Sequence, residues 1–209
     1  MTDNDLKKEL VETTLELYHA GVVTGKGGNL SVRSLEYEGA VWITPSQIHK
    51  GSLTPDQMVL IDVNGKKLQG KDRPSMESAY HAGLMAVRTD VNAMVHTHAP
   101  MATVWGVIDM DIPPITPEAV FIKDYPRVHF YMGGTKDLAN AVLETLGESK
   151  AAGAFLCHHG LVTVGNDLVI AAERTMMVEH TLKIIFTLLS INREPHILPE
   201  NDIKLLLQM

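Results

Sequence analysis

Asn64-Gly65 stands between the apolar run Val59-Leu60-Ile61-Asp62-Val63 and the pair Lys67-Leu68. A two-residue type I′ turn needs positive φ at both central residues, and Asn-Gly meets that demand, so the spacing predicts a tight antiparallel hairpin. Two further strands precede it. Leu30-Ser31-Val32-Arg33 follows a glycine-rich turn, and Ala40-Val41-Trp42-Ile43-Thr44 reads as a buried strand stopped by Pro45. The first third of the chain is therefore β-rich with antiparallel pairing.

Helical periodicity frames these strands. Leu6, Leu10, Leu17 and Tyr18 fall on one helical face, with Gly21 placed as a C-cap. Thr54-Pro55-Asp56 has the N-cap and first-turn proline of a second helix. Ser75 is positioned to cap a third, Met76 to Val87, which puts Glu77 in the first turn beside unpaired N–H groups and His81 one turn further on. Helices are also expected over Ala99 to Val107, Lys136 to Leu146 and Leu168 to Leu189. The last is apolar around much of its circumference and should be mostly buried, with His180, Met176 and Met177 read as core or interface. Strands are expected at Ala93 to Thr97, Val128 to Tyr131, Ala154 to Cys157 and Leu161 to Val164, and Pro113 to Pro117 is an irregular connection. No repeat, linker or low-complexity stretch interrupts residues 1–209, which is expected to be one domain. A (β/α)8 barrel is disfavoured, because the chain is shorter than the roughly 250 residues of that fold and shows no βα repetition.

Composition removes several functions. A formal charge of −7 without any Lys/Arg-rich run argues against a nucleic-acid surface, since phosphate backbones require a concentrated basic patch. The first residues lack a signal-peptide layout and no apolar run approaches a membrane span, so the expected setting is cytoplasmic with no membrane partner. Cys157 is the one cysteine, so there is no internal disulfide and any zinc site must rely on histidine and carboxylate.

The chemistry concentrates at Ala93-Met94-Val95-His96-Thr97-His98-Ala99-Pro100. Side chains alternate along a strand, so His96 and His98 share a face and offer two nitrogens to one metal ion at the strand end. His159, at a later strand end, and Glu77, at a helix start, complete three nitrogens and a carboxylate. That is the ligand set of an open zinc site with a position left for substrate. Thr24-Gly25-Lys26-Gly27-Gly28-Asn29 matches neither the P-loop nor the dinucleotide fingerprint, and by itself reads as a plain loop with some capacity for an anion.

The segments Gly25-Lys26-Gly27-Gly28-Asn29-Leu30-Ser31-Val32-Arg33, Ile43-Thr44-Pro45-Ser46, Pro74-Ser75-Met76-Glu77, His96-Thr97-His98-Ala99 and His159-Gly160 occur in one order and spacing. In this the chain resembles the class II aldolase/adducin-head family of ketose 1-phosphate aldolases and ribulose-phosphate 4-epimerases, over nearly its whole length. The resemblance implies a single α/β domain with a central, mostly antiparallel sheet flanked by helices, assembled as a homotetramer with active sites between subunits. It assigns His96, His98 and His159 as metal ligands and His158 as a bystander. Glu77 becomes the catalytic carboxylate, able to approach the metal at rest. Lys26, Gly28, Asn29, Ser46, Gln47 and Ser75 fall at the phosphate pocket.

The implied reaction is reversible cleavage of a ketose or deoxyketose 1-phosphate into dihydroxyacetone phosphate and an aldehyde, through an enediolate stabilised by Zn2+, with Mn2+ or Co2+ also suited to the donors. Three departures bear on substrate. Lys26 stands for a small hydroxyl residue of the fuculose-phosphate enzymes, Gln47 for a glycine, and Met76 for a serine. Tyr125, Tyr131 and Glu118 are the candidates for a second acid/base group. Decarboxylation of a phosphorylated 3-oxo acid, dehydration of methylthioribulose phosphate and epimerisation would use the same site. A non-catalytic adducin-like module is disfavoured by the four retained ligands.

Overall fold

The computed structural model describes residues 1–208. Eight strands form one sheet: β1 (Asn29–Arg33), β2 (Val41–Ile43), β3 (Val59–Ile61), β4 (Lys67–Gln69), β5 (Ala93–Thr97), β6 (Arg127–Val128), β7 (Gly153–Leu156) and β8 (Gly160–Gly165). Their order is β4-β3-β2-β1-β5-β8-β7-β6. Every pairing is antiparallel except β6 with β7. The helices are α1 (Asp3–His19), α2 (Ser78–Val87), α3 (Pro100–Trp105), α4 (Pro117–Ile122), α5 (Lys136–Gly147), α6 (Leu168–Ser190) and α7 (Glu200–Leu206). This is the expected α/β architecture around a mostly antiparallel sheet.

Both faces of the sheet are covered, and strand parity decides which residue serves which face. Leu30 and Val32, Trp42, Leu60, Ala93 and Val95, Phe155 and Leu161 join one apolar cluster with α1, α3, α4 and α6. Their neighbours Val41 and Ile43, Val59 and Ile61, Met94, Ala154 and Leu156, Val162 and Val164 join the other, with α2 and α5. This alternation follows from the two-residue period of the strand. It explains why the central strands read as continuous apolar runs, since both sides are desolvated. His96, two residues beyond Met94, is directed by the same parity toward α2.

Several local expectations need correction. The hairpin forms, but only Gly65 takes positive φ, at 77°. Asp62 Oδ1 accepts from the N–H groups of Asn64 and Lys66, and the Asp62 carbonyl accepts from Gly65 N, so the aspartate closes a longer turn in place of type I′. The register shifts at Leu60/Ile61 accordingly. The Thr54-Pro55 helix is a single 3-10 turn, Pro55–Gln57, because strand β3 begins at Val59. Helix α2 starts at Ser78, two residues after the expected start, and its N-cap is Glu77, not Ser75. Residues 73–75 are held outside the helix by a bridge between Pro45 and Pro74 and by Ser46 N donating to the Arg73 carbonyl. β6 is two residues long, so His129 to Tyr131 lie beyond it, and α4 and α7 were not anticipated. Among the described residues no helix is long and apolar enough to cross a membrane.

Candidate active site

The start of β1, the end of β5 and the start of β8 meet at one end of the three central strands. Asn29 pairs with His96, and Thr97 pairs with Leu161, across the sheet. His98 lies one residue past β5 and His159 one before β8, so the topology brings all three imidazoles together. One ring nitrogen from each of His96, His98 and His159 lies within 4.8 Å of the others. The ring centroids are 4.8–5.0 Å apart. Glycine makes the approach of the first loop possible. A Cβ on Gly27 would sit 2.8 Å from His98 Nδ1, and Gly28, at φ 88°, is 3.1 Å from the His96 carbonyl by the same measure.

Glu77 enters this cluster from the N-cap of α2. Its side chain makes no capping bond; it turns inward, with Oε2 3.3 Å from His96 Nε2 and Oε1 3.5 Å from His159 Nε2. Asn29 Nδ2 donates to Oε2 at 2.8 Å. Helix-end charge complementarity therefore does not explain this glutamate.

The donor chemistry fits a divalent cation. His96 Nδ1 is 3.0 Å from the Leu161 carbonyl, which can only accept, so Nδ1 carries the proton and Nε2 presents its lone pair to the centre. Yet His96 Nε2 and Glu77 Oε1 are buried without a hydrogen-bond partner. The unpartnered His96 Nε2 also faces the other carboxylate oxygen, Glu77 Oε2, at 3.3 Å, and two lone-pair-bearing atoms at that distance in a dry site repel unless a cation or proton lies between them. Burial alone would raise the Glu77 carboxyl, but His96, the Asn29 amide, His159 and His81 hold it down at about 2. Burial pushes His96 down to about 4, and burial also lowers His98. At neutral pH the cluster is thus a carboxylate beside unprotonated His96 and His98, the protonation states that metal binding requires.

A cavity of about 250 Å³ opens beside the cluster. Lys26, Gly28, Asn29, Ser46, Gln47 and Ser75 all line it, together with Glu77, His98, His159 and Met76. Gln47 adopts φ 61°, a left-handed conformation more at home with glycine. Ser75 Oγ accepts from Glu77 N at 3.3 Å, tying that wall to the carboxylate. His81 is fully buried and bonded to Ser31 Oγ at 2.6 Å, behind the three imidazoles and away from the opening.

Sequence reasoning missed three cavity residues, Lys50, Gly133 and Gly134. Gly133-Gly134 lies on the loop before α5, where a Cβ on Gly133 would be 3.8 Å from Glu77 Oε1 and 3.7 Å from His159. The Gly-Gly pair was the available signal for that loop; for Lys50 only its closeness to Ser46-Gln47 hinted. The second-acid candidates do not gather here within the chain. Tyr125 packs on Phe155, where burial raises its hydroxyl to about 12. Glu118 lines a different cavity, with Glu16, Glu173 and His180, and Tyr131 is exposed. His158 takes φ 58° in the β7–β8 turn and packs against Phe130, apart from the three clustered imidazoles.

The chain is similar to known proteins over nearly its whole length. The family described as Class II Aldolase and Adducin N-terminal domain matches residues 8–186. The chain is 32% identical over 210 residues to L-fuculose phosphate aldolase of Escherichia coli K12, covering 100% of this chain and 95% of that one. It is 30% identical over 199 residues to 5-deoxy-D-ribulose 1-phosphate aldolase of Bacillus thuringiensis serovar kurstaki, with coverage of 95% and 92%. A solved L-fuculose 1-phosphate aldolase superposes with a TM-score of 0.86 at 28% identity, covering 98% and 95%. The chain belongs to the class II aldolase and adducin N-terminal domain family and is an aldolase, a carbon–carbon lyase.

Proposed function

We propose that this protein cleaves a ketose or deoxyketose 1-phosphate reversibly between C3 and C4, yielding dihydroxyacetone phosphate and an aldehyde. The observation that carries the reading is a buried carboxylate and three imidazoles converging beside the cavity, with His96 Nε2 and Glu77 Oε1 left without a hydrogen-bond partner. His96, His98 and His159 would hold the metal, with Glu77 as a resting contact; Zn2+ suits three nitrogens and an open position, and Mn2+ or Co2+ suits the same donors. Bound there, the ion supplies Lewis acidity toward the carbonyl and hydroxyl oxygens of the substrate.

The chain's own residues do the remainder. Lys26, Gly28, Asn29, Ser46, Gln47 and Ser75 orient the phosphate end. Cleavage turns the C4 hydroxyl into the aldehyde carbonyl, its proton passing to solvent, and leaves the C3–C4 electron pair on C3; the Glu77 carboxylate takes up a proton from solvent and delivers it to that carbon, and in condensation it removes the same proton. Asn29 holds the carboxylate in line through its 2.8 Å bond. The substrate class draws on the names of the two aldolase relatives, L-fuculose phosphate aldolase and 5-deoxy-D-ribulose 1-phosphate aldolase. The subunit arrangement we propose is a homotetramer.

A test independent of the aldehyde is exchange of the C3 proton of dihydroxyacetone phosphate in D2O, followed by NMR. Metal-loaded protein should catalyse the exchange, and chelation should stop it. No exchange by the metal-loaded protein would overturn the assignment.

A further inference from the structure

Lys50 sits on the 3-10 turn Lys50–Ser52, at the junction of two cavity walls. Its backbone N–H donates to the Gly25 carbonyl at 2.8 Å, tying the turn to the glycine loop. Its Nζ donates to the Pro45 carbonyl at 2.7 Å, at the entry to Ser46-Gln47. The residue is only 2% exposed, and it lines the same cavity as Lys26, Asn29 and Ser75.

A buried ammonium is costly unless paired. Here one of three N–H donors is used, on a neutral carbonyl, and burial lowers the group to about 8 with no carboxylate offsetting it. Joining Pro45 to the turn requires only a neutral donor, so the tie does not explain the charge. An anion entering the cavity does, because it would meet the two unspent N–H groups and neutralise the ammonium at once.

We infer that Lys50 supplies the buried cationic contact to the phosphate group of the substrate and thereby sets the preference for a phosphorylated over a neutral sugar. This rests on the sugar-phosphate reading above. It adds a charge that Lys26, at the open rim of the cavity, would share and not replace.

The test is calorimetric titration of the metal-loaded protein with inorganic phosphate, which requires no turnover. The wild type is compared with Lys50→Met, unbranched, one atom shorter and uncharged, and with Lys50→Gln, whose amide is also a neutral donor, should the methionine variant fail to fold. Loss of a charge-assisted hydrogen bond predicts phosphate binding weakened about 10- to 100-fold. Phosphate should raise the thermal midpoint of the wild type, and that rise should disappear in the variants. Phosphate binding within threefold of wild type in a folded variant would overturn the inference and make Lys50 a structural tie. Absence of phosphate binding to the wild type would overturn the sugar-phosphate reading along with it.

Discussion

Replacing Gly27 by alanine asks whether the glycine loop sets the position of His98, a proposed metal ligand. The backbone there is outside the left-handed region, so alanine meets no conformational penalty and the effect is one of contact alone. The added Cβ would lie 2.6 Å from Thr24 Oγ1, 2.8 Å from His98 Nδ1 and 3.2 Å from His98 Cε1. Ordinary contact begins at 3.4 Å, so from 2.8 Å the imidazole or the loop must yield by about 0.6 Å, the difference of the two. Thr24 cannot yield freely, because its Oγ1 accepts from Gly27 N at 2.8 Å. Ligand distances tolerate about 0.2 Å, so most of the shift is felt as lost coordination, and disturbing a ligand's support typically costs about 10- to 100-fold in metal affinity. Competition with a chromophoric chelator for Zn2+ measures this directly. Metal affinity within threefold of wild type, in a folded Gly27→Ala protein, would refute the packing argument.

Other consequences are as direct. Glu77→Gln keeps the shape of the side chain and leaves three imidazoles; C3 proton exchange should fall by about 10²- to 10⁴-fold while metal content stays near wild type, and undiminished exchange would remove Glu77 from the chemistry. Asn29→Ala frees a carboxylate held at 2.8 Å, and exchange should fall about tenfold or more with little change in zinc content measured by atomic emission. Acid should destabilise the metal-free protein from about pH 6.5 downward. His81 is held neutral to about 3 by burial and then by His96, so below its unfolded value of 6.5 the unfolded chain takes up the proton first. Stability is fully present above 6.5 and is lost at roughly 1.4 kcal/mol per pH unit for each such histidine as pH falls toward the folded value. Flat thermal midpoints between pH 7 and 5 would contradict this.

How legible the molecule was from its sequence varies by element. The convergence of His96 and His98 was readable because a two-residue spacing on an apolar strand fixes their side. The sheet was readable because its strands are apolar on both faces. The start of α2 was not, since Ser75 has the local signature of a cap, and only the pairing of Pro45 with Pro74 keeps residues 73–75 extended. Ser78 Oγ instead donates to the Gly65 carbonyl at 3.1 Å, so a turn 13 residues upstream settles the helix start. Lys50 illustrates the same limit. A lysine in a polar turn reads as solvated, and its burial arises from Gly25 and Pro45 closing around it.

The central claim is that the cluster cleaves a C3–C4 bond in a phosphorylated ketose. The most direct measurement is a product screen of the metal-loaded protein against a panel of ketose 1-phosphates and phosphorylated 3-oxo acids, with dihydroxyacetone phosphate detected by coupled reduction and CO2 by a coupled carboxylase assay. The account predicts dihydroxyacetone phosphate from at least one ketose 1-phosphate, abolished by chelation and restored by Zn2+. Release of CO2 from the oxo acids, with no dihydroxyacetone phosphate from any ketose, would contradict it.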